Sequence, residues 1–158
     1  MNEMEELQQW LSPISSVVLV VVTGIYVWLT HKLLRHSIQE KQGRVRSALL
    51  SLFSELSMNE QVAKEEGNEA PRLSAAYDSC FWALADVGAA NGTIASVCRA
   101  YVHIKWHKIA YEHIADNNGA SLLAEEMLRK SIPIAVEAMK NDPKIKDIVK
   151  DIIDLPAT

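Results

Sequence analysis

The hydrophobic residues of this chain form one long apolar stretch, followed by shorter segments with helical periodicity. Residues 7–31 contain no Lys, Arg, Asp or Glu, and the centre of this stretch is apolar apart from small hydroxyl-bearing side chains. A helix needs about 20 such residues to cross the hydrocarbon core of a bilayer. We therefore predict a transmembrane helix over residues 13–34.

Aromatic and basic residues mark both ends of this predicted span. Trp10 and Trp28 are 18 positions apart, which corresponds to about 27 Å along a helix. That spacing places the two rings at opposite membrane interfaces, where aromatic side chains are enriched. Tyr26, Lys32 and Arg35 extend the inner interface, so these five residues are the predicted membrane-interface positions.

The charges flanking the span predict its orientation. Glu3, Glu5 and Glu6 precede it without any basic residue, whereas a basic run follows it: Lys32, Arg35, Lys41, Arg44 and Arg46. Basic residues favour the cytoplasmic side of a membrane. We predict a single-pass protein of the inner (cytoplasmic) membrane with the following parts: an extracytoplasmic N-terminus over 1–12, the span over 13–34, a basic juxtamembrane segment over 35–43 and a cytosolic helical domain over 44–158. The acidic N-terminus argues against a cleaved signal peptide.

Helical periodicity continues through the cytosolic part, and no convincing alternating strand pattern occurs. Gly43 is a possible break after the span, and apolar residues then recur at helical spacing: Val45, Leu49, Leu52, Phe53 and Leu56. A third helix carries a stripe of Leu73, Tyr77, Cys80, Leu84 and Val87. The fold class that we predict is all-α, with a transmembrane helix followed by a small cytosolic bundle of four to six helices.

Caps and helix breakers divide the remaining sequence. Asn91-Gly92 is expected to end the third helix and Thr93 to cap a fourth over residues 94–116. Ser121 is a candidate cap for a fifth helix, in which Pro133 should kink or divide the chain. Asp142-Pro143 has the pattern of an N-cap followed by a proline at the first helical position, and predicts a short terminal helix.

Composition and motifs argue against several functional classes. The formal net charge of −4 gives no reason to expect double-stranded nucleic acid as a partner. The two cysteines, Cys80 and Cys98, have no C-x-x-C spacing and suggest reduced thiols. Because the sequence has no glycine-rich phosphate loop and no nucleophile motif, we expect a non-enzymatic protein without a cofactor.

The predicted fourth helix holds the candidate ligand-binding residues: Arg99, His103, Lys105, Trp106, His107 and Lys108. His103 and His107, at i and i+4, are weak candidates for a metal ion, since further ligands are needed and the pattern His-Glu-x-x-His is absent. Alternatively, Arg99 or the lysines would bind phosphate while Trp106 stacks on a base. A third interpretation is purely structural, with histidines at the boundary of a wide apolar face and lysines extending to solvent.

The order of these parts resembles small bacterial one-span families with cytosolic helical domains. It is also similar in plan to membrane effectors of antiphage defence, in which a cytosolic domain senses a cyclic oligoadenylate and perturbs the membrane part. The resemblance is one of architecture and assigns no residue. Our leading hypothesis is a membrane-tethered, self-associating interaction module, with the lipid bilayer and further copies of itself as partners. The alternative is an effector gated by an anionic nucleotide.

Overall fold

A computed structural model describes the backbone of residues 3–64, 73–113 and 118–153, and the side chains of residues 15–64, 73–110 and 122–150. Six helices occupy the described residues: α1 Glu3–Lys64, α2 Ala75–Cys80, α3 Trp82–Asp86, α4 Asn91–His113, α5 Asn118–Asn141 and α6 Lys146–Ile153. These residues contain no β-strand. The predicted all-α class is therefore confirmed.

The chain divides into two units, Met1–Gln42 and Gly43–Thr158, and the division falls within α1. Glycine inside a helix costs about 1 kcal/mol relative to alanine. Even so, α1 is not interrupted at Gly43, so the break expected there is wrong. The apolar residues that follow Gly43 are buried in the second unit, and their packing stabilises helical structure beyond what local preference supplies.

The first unit contains the apolar part of α1. Its large apolar side chains over residues 17–34 are each between 45% and 71% exposed. The hydroxyls of Thr23 and Thr30 donate hydrogen bonds to the carbonyl oxygens of Leu19 and Tyr26, at 2.7 and 2.8 Å. Because these polar groups are satisfied within the helix, they add little cost in an apolar environment. By length and composition, the helix from Ser15 onward can cross a membrane.

The second unit is built around a core shared by the later part of α1 and by α3, α4, α5 and α6. Fully buried side chains from these helices form one cluster: Leu49, Leu52, Leu56, Leu84, Val97, Tyr101, Leu128, Ile132, Met139, Ile145 and Val149. Burial of a leucine- or isoleucine-sized side chain contributes about 1.5–3 kcal/mol. The apolar side of each of these helices therefore packs into this shared core.

The region between α1 and α4 differs from the predicted single third helix. The structure has two short helices, α2 and α3, which are separated at Phe81. Gly88 has a positive φ of 72°, and the backbone N–H of Ala89 donates to the carbonyl of Leu84 at 2.9 Å. Gly88 thus ends α3, because glycine adopts this left-handed conformation without a steric penalty. The predicted stop at Asn91-Gly92 is wrong, since these residues begin α4.

Two more predicted boundaries are wrong. Thr93 and Ser121 lie inside α4 and α5 instead of capping them. Pro133 also lies inside α5 without dividing it. A proline removes one backbone hydrogen bond of a helix, but its neighbours Ile132, Ala135 and Val136 are buried in the core. Tertiary packing around the proline therefore offsets the lost hydrogen bond.

Asp142 links the start of α6 to the start of α4. Its Oδ1 accepts the backbone N–H of Lys144 at 2.9 Å, and its Oδ2 accepts that of Ala90 at 2.8 Å. The Asp142 side chain thus accepts a backbone N–H as a cap does, but α6 begins at Lys146, three residues after the predicted first position at Pro143. Burial alone would raise the pKa of Asp142, but hydrogen bonds from the backbone of Ala90 and Lys144 and from the side chain of Thr93 lower it below the ordinary 3.8.

Asp142→Ala is expected to lower the free energy of unfolding by about 1–2 kcal/mol at neutral pH, since two backbone N–H groups lose their acceptor in partly buried hydrogen bonds. The folded-state pKa lies below the unfolded one, so the carboxylate stabilises the fold above the unfolded pKa. This contribution is lost as the pH falls through the folded pKa. Thermal unfolding should therefore show a large difference between wild type and variant at pH 7 that narrows below about pH 4. A difference independent of pH would contradict this role of the charge.

Candidate functional site

The buried face of α4 is the starting point for every candidate residue. Val97, Tyr101 and Ile104 are at most 1% exposed. They follow the i, i+4, i+7 spacing of one helix face. The six candidate ligand-binding residues of α4, in contrast, are exposed or half-buried.

A buried polar pair connects α4 to α1. Glu55, which is 7% exposed, accepts the Tyr101 hydroxyl at 2.6 Å through Oε1. Its Oε2 accepts the backbone N–H of Ala76 at 2.8 Å. Burial, together with this hydrogen bond to Glu55, raises the pKa of Tyr101 well above its ordinary value. Sequence reasoning missed Glu55, although a lone glutamate among Leu52, Phe53 and Leu56 of an apolar face was a usable signal.

Two aromatic rings, Tyr77 in α2 and Phe81 just after it, pack next to Tyr101. The Tyr77 ring stacks on Tyr101 with a centroid distance of 4.3 Å and an angle of 24°, and the Phe81 ring lies 4.8 Å from Tyr77. The Tyr77 hydroxyl and the Cys98 Sγ are 3.5 Å apart. Burial and the Cys98 hydrogen bond raise the pKa of Tyr77 to about 12. Both tyrosines are therefore neutral near pH 7 and serve as packing and hydrogen-bonding groups.

Lys105 lies on the edge of α4 that faces α2. Its Nζ is 2.6 Å from the Asp78 Oδ1 and 5.5 Å from the centroid of the Tyr77 ring. The Lys105 and Asp78 side chains are 47% and 60% exposed. An ion pair this exposed contributes little to stability. Because both side chains are about half exposed, both charges are accessible to an approaching partner.

The two histidines lie on the side of α4 nearer α5. His103 Nδ1 is 3.0 Å from the Ser131 Oγ, and both His103 and His107 are half-buried. Among the described side chains, no group of three or more His, Cys, Asp or Glu residues is placed to hold a metal ion. In the described part of the chain, the histidine pair therefore lacks the further ligands that a zinc site needs.

Arg99 and Trp106 point away from the core, and both are exposed. They differ by about 20° around the helix, whereas Lys105 lies about 120° from Arg99. Lys108 is also exposed, but it lies on a different side of α4 from Arg99 and Trp106. The structure thus brings Arg99 and Trp106 together on one face, places Lys105 toward α2 and His103 toward α5, and does not gather the six predicted residues into one pocket.

An open groove of about 580 Å³ lies elsewhere, between the end of α1 and the second half of α5. It is lined by Glu60, Pro133, Ile134, Glu137, Lys140 and neighbouring residues. None of the six predicted ligand-binding residues contributes to it. Its walls carry charges of both signs, which do not favour one class of ligand.

A second apolar stripe runs along the exposed side of α4. Val102, Trp106 and Ile109 are 62%, 37% and 51% exposed, and the spacing i, i+4, i+7 puts them on one face. We call these three residues the α4 stripe. Sequence reasoning recognised a wide apolar face on this helix but did not separate the stripe from the core-facing residues, because periodicity alone does not show which face is covered.

Four predicted membrane-interface residues lie in the described part of α1. Tyr26 and Trp28 are 70% and 61% exposed, and Lys32 and Arg35 are exposed as well. The Lys32 Nζ lies 5.4 Å from the centroid of the Trp28 ring, one helical turn away. A cation over an aromatic ring at this distance is attracted by the ring. The side chain of Trp10 lies outside the described side chains.

Comparisons with protein-family profiles, with curated proteins and with solved structures find no match to this chain.

Proposed function

We propose that this protein is a membrane-tethered, non-enzymatic helical module that self-associates. The observation that carries the proposal is the apolar part of α1, whose large side chains are all exposed over residues 17–34. Exposing such a continuous apolar surface to water costs about 25 cal/mol for each Å². A bilayer removes this cost, so the membrane is the environment that suits the helix.

The flanking residues support a defined orientation in the membrane. Lys32 and Arg35 follow the apolar segment directly, with Trp28 beneath Lys32. Together with Glu3, Glu5 and the other acidic residues of the N-terminus, they favour residues 1–12 outside and the second unit in the cytosol of a single-pass inner-membrane protein. The second unit then offers its helical surface to partners at the cytoplasmic side of the membrane.

Membrane fractionation and topology mapping test the tether. The full chain is expected in the membrane pellet after a carbonate wash. In intact spheroplasts, external protease should remove an N-terminal tag and leave a C-terminal tag protected, whereas permeabilised cells should lose both tags. Recovery of the chain in the soluble fraction would refute the tether. Digestion of the C-terminal tag alone would instead reverse the proposed orientation.

Sedimentation equilibrium in a mild detergent tests self-association. The protein–detergent complex, with the detergent contribution matched by density, should have a protein mass that rises with protein concentration toward a dimer or larger oligomer. A single monomer mass across the whole concentration range would contradict this part of the proposal and leave the tether intact.

The alternative function is a nucleotide-gated membrane effector, which is favoured by the position of Arg99 and Trp106 on one exposed face of α4. An exposed guanidinium and an exposed indole on one helix face, about two turns apart, suit a phosphate and a base of one extended ligand. A cyclic oligoadenylate at a hundredfold excess over its dissociation constant would stabilise the protein by about 2.7 kcal/mol, seen as a thermal shift of the full chain. Arg99→Glu should abolish this shift. A shift that survives charge reversal would rule out this site.

A further inference from the structure

Just beyond its apolar segment, α1 carries basic side chains on one side. Four exposed residues with hydrogen-bond donors lie in the first two turns there: His31, Lys32, Arg35 and His36. At about 100° per residue, they fall within an arc of about 140° around the helix. We call these four residues the basic face. Residues 7–39 contain no Asp or Glu, so no carboxylate of the same turns neutralises the basic face.

The other side of the same turns is apolar. Leu33, Leu34 and Ile38 are 71%, 58% and 49% exposed, and each lies outside the arc of the basic face. Basic residues that only set the orientation of a span need to follow it, but they need not share one side of the helix. Transmembrane helices are tilted by about 20° on average. Tilt in one direction keeps Leu33 and Leu34 among the acyl chains and turns the basic face toward the headgroups.

Resting on the membrane tether proposed above, we propose that the basic face binds the phosphate of an anionic phospholipid in the cytoplasmic leaflet. Depth in the membrane supports this ligand. Lys32 and Arg35 lie about 6 and 10 Å beyond Trp28 along the helix. The polar region of a bilayer extends roughly 5–7 Å beyond the hydrocarbon core on each side. With the Trp28 ring at the edge of that core, both basic side chains reach the phosphates.

The residue types of the basic face suit a phosphodiester. The Arg35 guanidinium can donate two parallel hydrogen bonds to phosphate oxygens, and the Lys32 ammonium adds a second positive charge. The Lys32 Nζ lies 5.4 Å from the centroid of the Trp28 ring, which keeps the ammonium close to the membrane surface. Each imidazole supplies at least one further N–H donor. These groups together surround an oxyanion from one side of the helix.

Charge explains why the lipid is an anionic one. In phosphatidylcholine, the choline cation of the same molecule neutralises the phosphate. Phosphatidylglycerol has no such cation, so its phosphate is attracted more strongly by Lys32 and Arg35. Basic residues beside a span are attracted to anionic lipids in this way. The basic face should therefore bind phosphatidylglycerol in preference to phosphatidylcholine.

Quenching of Trp28 fluorescence by brominated lipids tests the site, because Trp28 lies within the arc of the basic face. The full chain with Trp10→Phe, Trp82→Phe and Trp106→Phe keeps Trp28 as its single tryptophan. It is reconstituted in vesicles of phosphatidylglycerol and phosphatidylcholine in equal amounts, with bromine near the top of the acyl chains of one lipid at a time. The association constant for phosphatidylglycerol should exceed that for phosphatidylcholine at least about fivefold, which corresponds to about 1 kcal/mol.

Neutralising variants of the same single-tryptophan protein locate the binding residues. Lys32→Gln/Arg35→Gln should remove the preference for phosphatidylglycerol. Arg129→Gln/Lys130→Gln is the matched control, since it neutralises one arginine and one lysine on α5 whose side chains are 41% and 73% exposed. The control should keep the full preference. Circular dichroism should show both variants folded, because all four substituted side chains lie on the surface.

The remaining outcomes separate the lipid site from the tether. A millimolar excess of inorganic phosphate at constant ionic strength should leave the preference unchanged, and its loss would assign the basic face to free phosphate instead. Equal quenching by the two lipids would overturn the anionic-lipid site while the tether stands. A preference that persists in Lys32→Gln/Arg35→Gln would overturn the assignment to these residues. If neither lipid quenches Trp28, the helix is not in the bilayer and the tether itself is refuted.

Discussion

Val22→Arg/Ile25→Arg is expected to release the full chain from the membrane fraction. Each arginine near the centre of a span costs about 2.5–3.5 kcal/mol on insertion scales, so the pair opposes insertion by about 5–7 kcal/mol. Both wild-type side chains are more than half exposed, at 57% and 54%. The substitutions therefore alter the surface of the helix without removing any core packing. The measurement is the share of protein in the carbonate-washed pellet.

Gln39→Arg/Gln42→Arg is the matched control. It adds the same charge at the same i, i+3 spacing in the same helix, and both glutamines are exposed. These positions lie beyond the apolar segment on its basic side, where additional arginine agrees with the proposed cytosolic location. The control should stay in the membrane pellet. If both double variants fractionate like wild type, membrane association does not depend on the apolar surface of α1, and α1 is not the tether.

Tyr101→Phe is expected to lower the free energy of unfolding by about 2–3 kcal/mol. The substitution keeps the ring and its stacking on Tyr77, and it removes one hydroxyl. The Glu55 carboxylate, which is 7% exposed, then retains the backbone N–H of Ala76 and loses its 2.6 Å partner. An acceptor left unsatisfied in the interior costs more than the hydrogen bond contributed. Chemical or thermal unfolding in detergent measures the loss.

Tyr77→Phe is the control for this second prediction. It removes the same hydroxyl from the ring stacked on Tyr101, but that hydroxyl contacts the Sγ of Cys98 at 3.5 Å in a partly buried position. Sulfur is a weak acceptor, so the loss should stay below about 1 kcal/mol. If Tyr101→Phe is no more harmful than Tyr77→Phe, the pair of Glu55 and Tyr101 does not stabilise the link between α1 and α4.

Much of the candidate site was visible in the sequence as residue types and spacing. The burial of Val97, Tyr101 and Ile104 followed from the period of the apolar positions. Lys105 lies on a different side of α4 from Arg99 and His103, because neighbouring positions on a helix point about 100° apart. Contacts made by other helices decided where each side chain went: Asp78 of α2 holds Lys105, and Ser131 of α5 holds His103.

The helix boundaries likewise divide into those that a local sequence pattern predicts and those that it does not. Asp142 was recognised as a cap because an aspartate followed by proline has a strong local preference. Thr93 and Ser121 have nearly the same local signal, yet both lie inside helices. At the start of α4, a backbone N–H is accepted by a residue that is distant in the sequence, since the Asp142 carboxylate accepts the N–H of Ala90. Thr93 is therefore not needed as the cap. A local pattern does not contain such a distant acceptor.

The sequence by itself determined the all-α class, the long apolar helix and the side of each helix that is apolar. These properties depend on hydrophobic periodicity and on the length of the uncharged stretch, and both are local. Only the tertiary structure decided the continuity of α1 through Gly43, the burial of Glu55 against Tyr101 and the exposure of the α4 stripe. Each depends on which surfaces meet, because packing between distant segments overrides local preference and decides which apolar residues are covered.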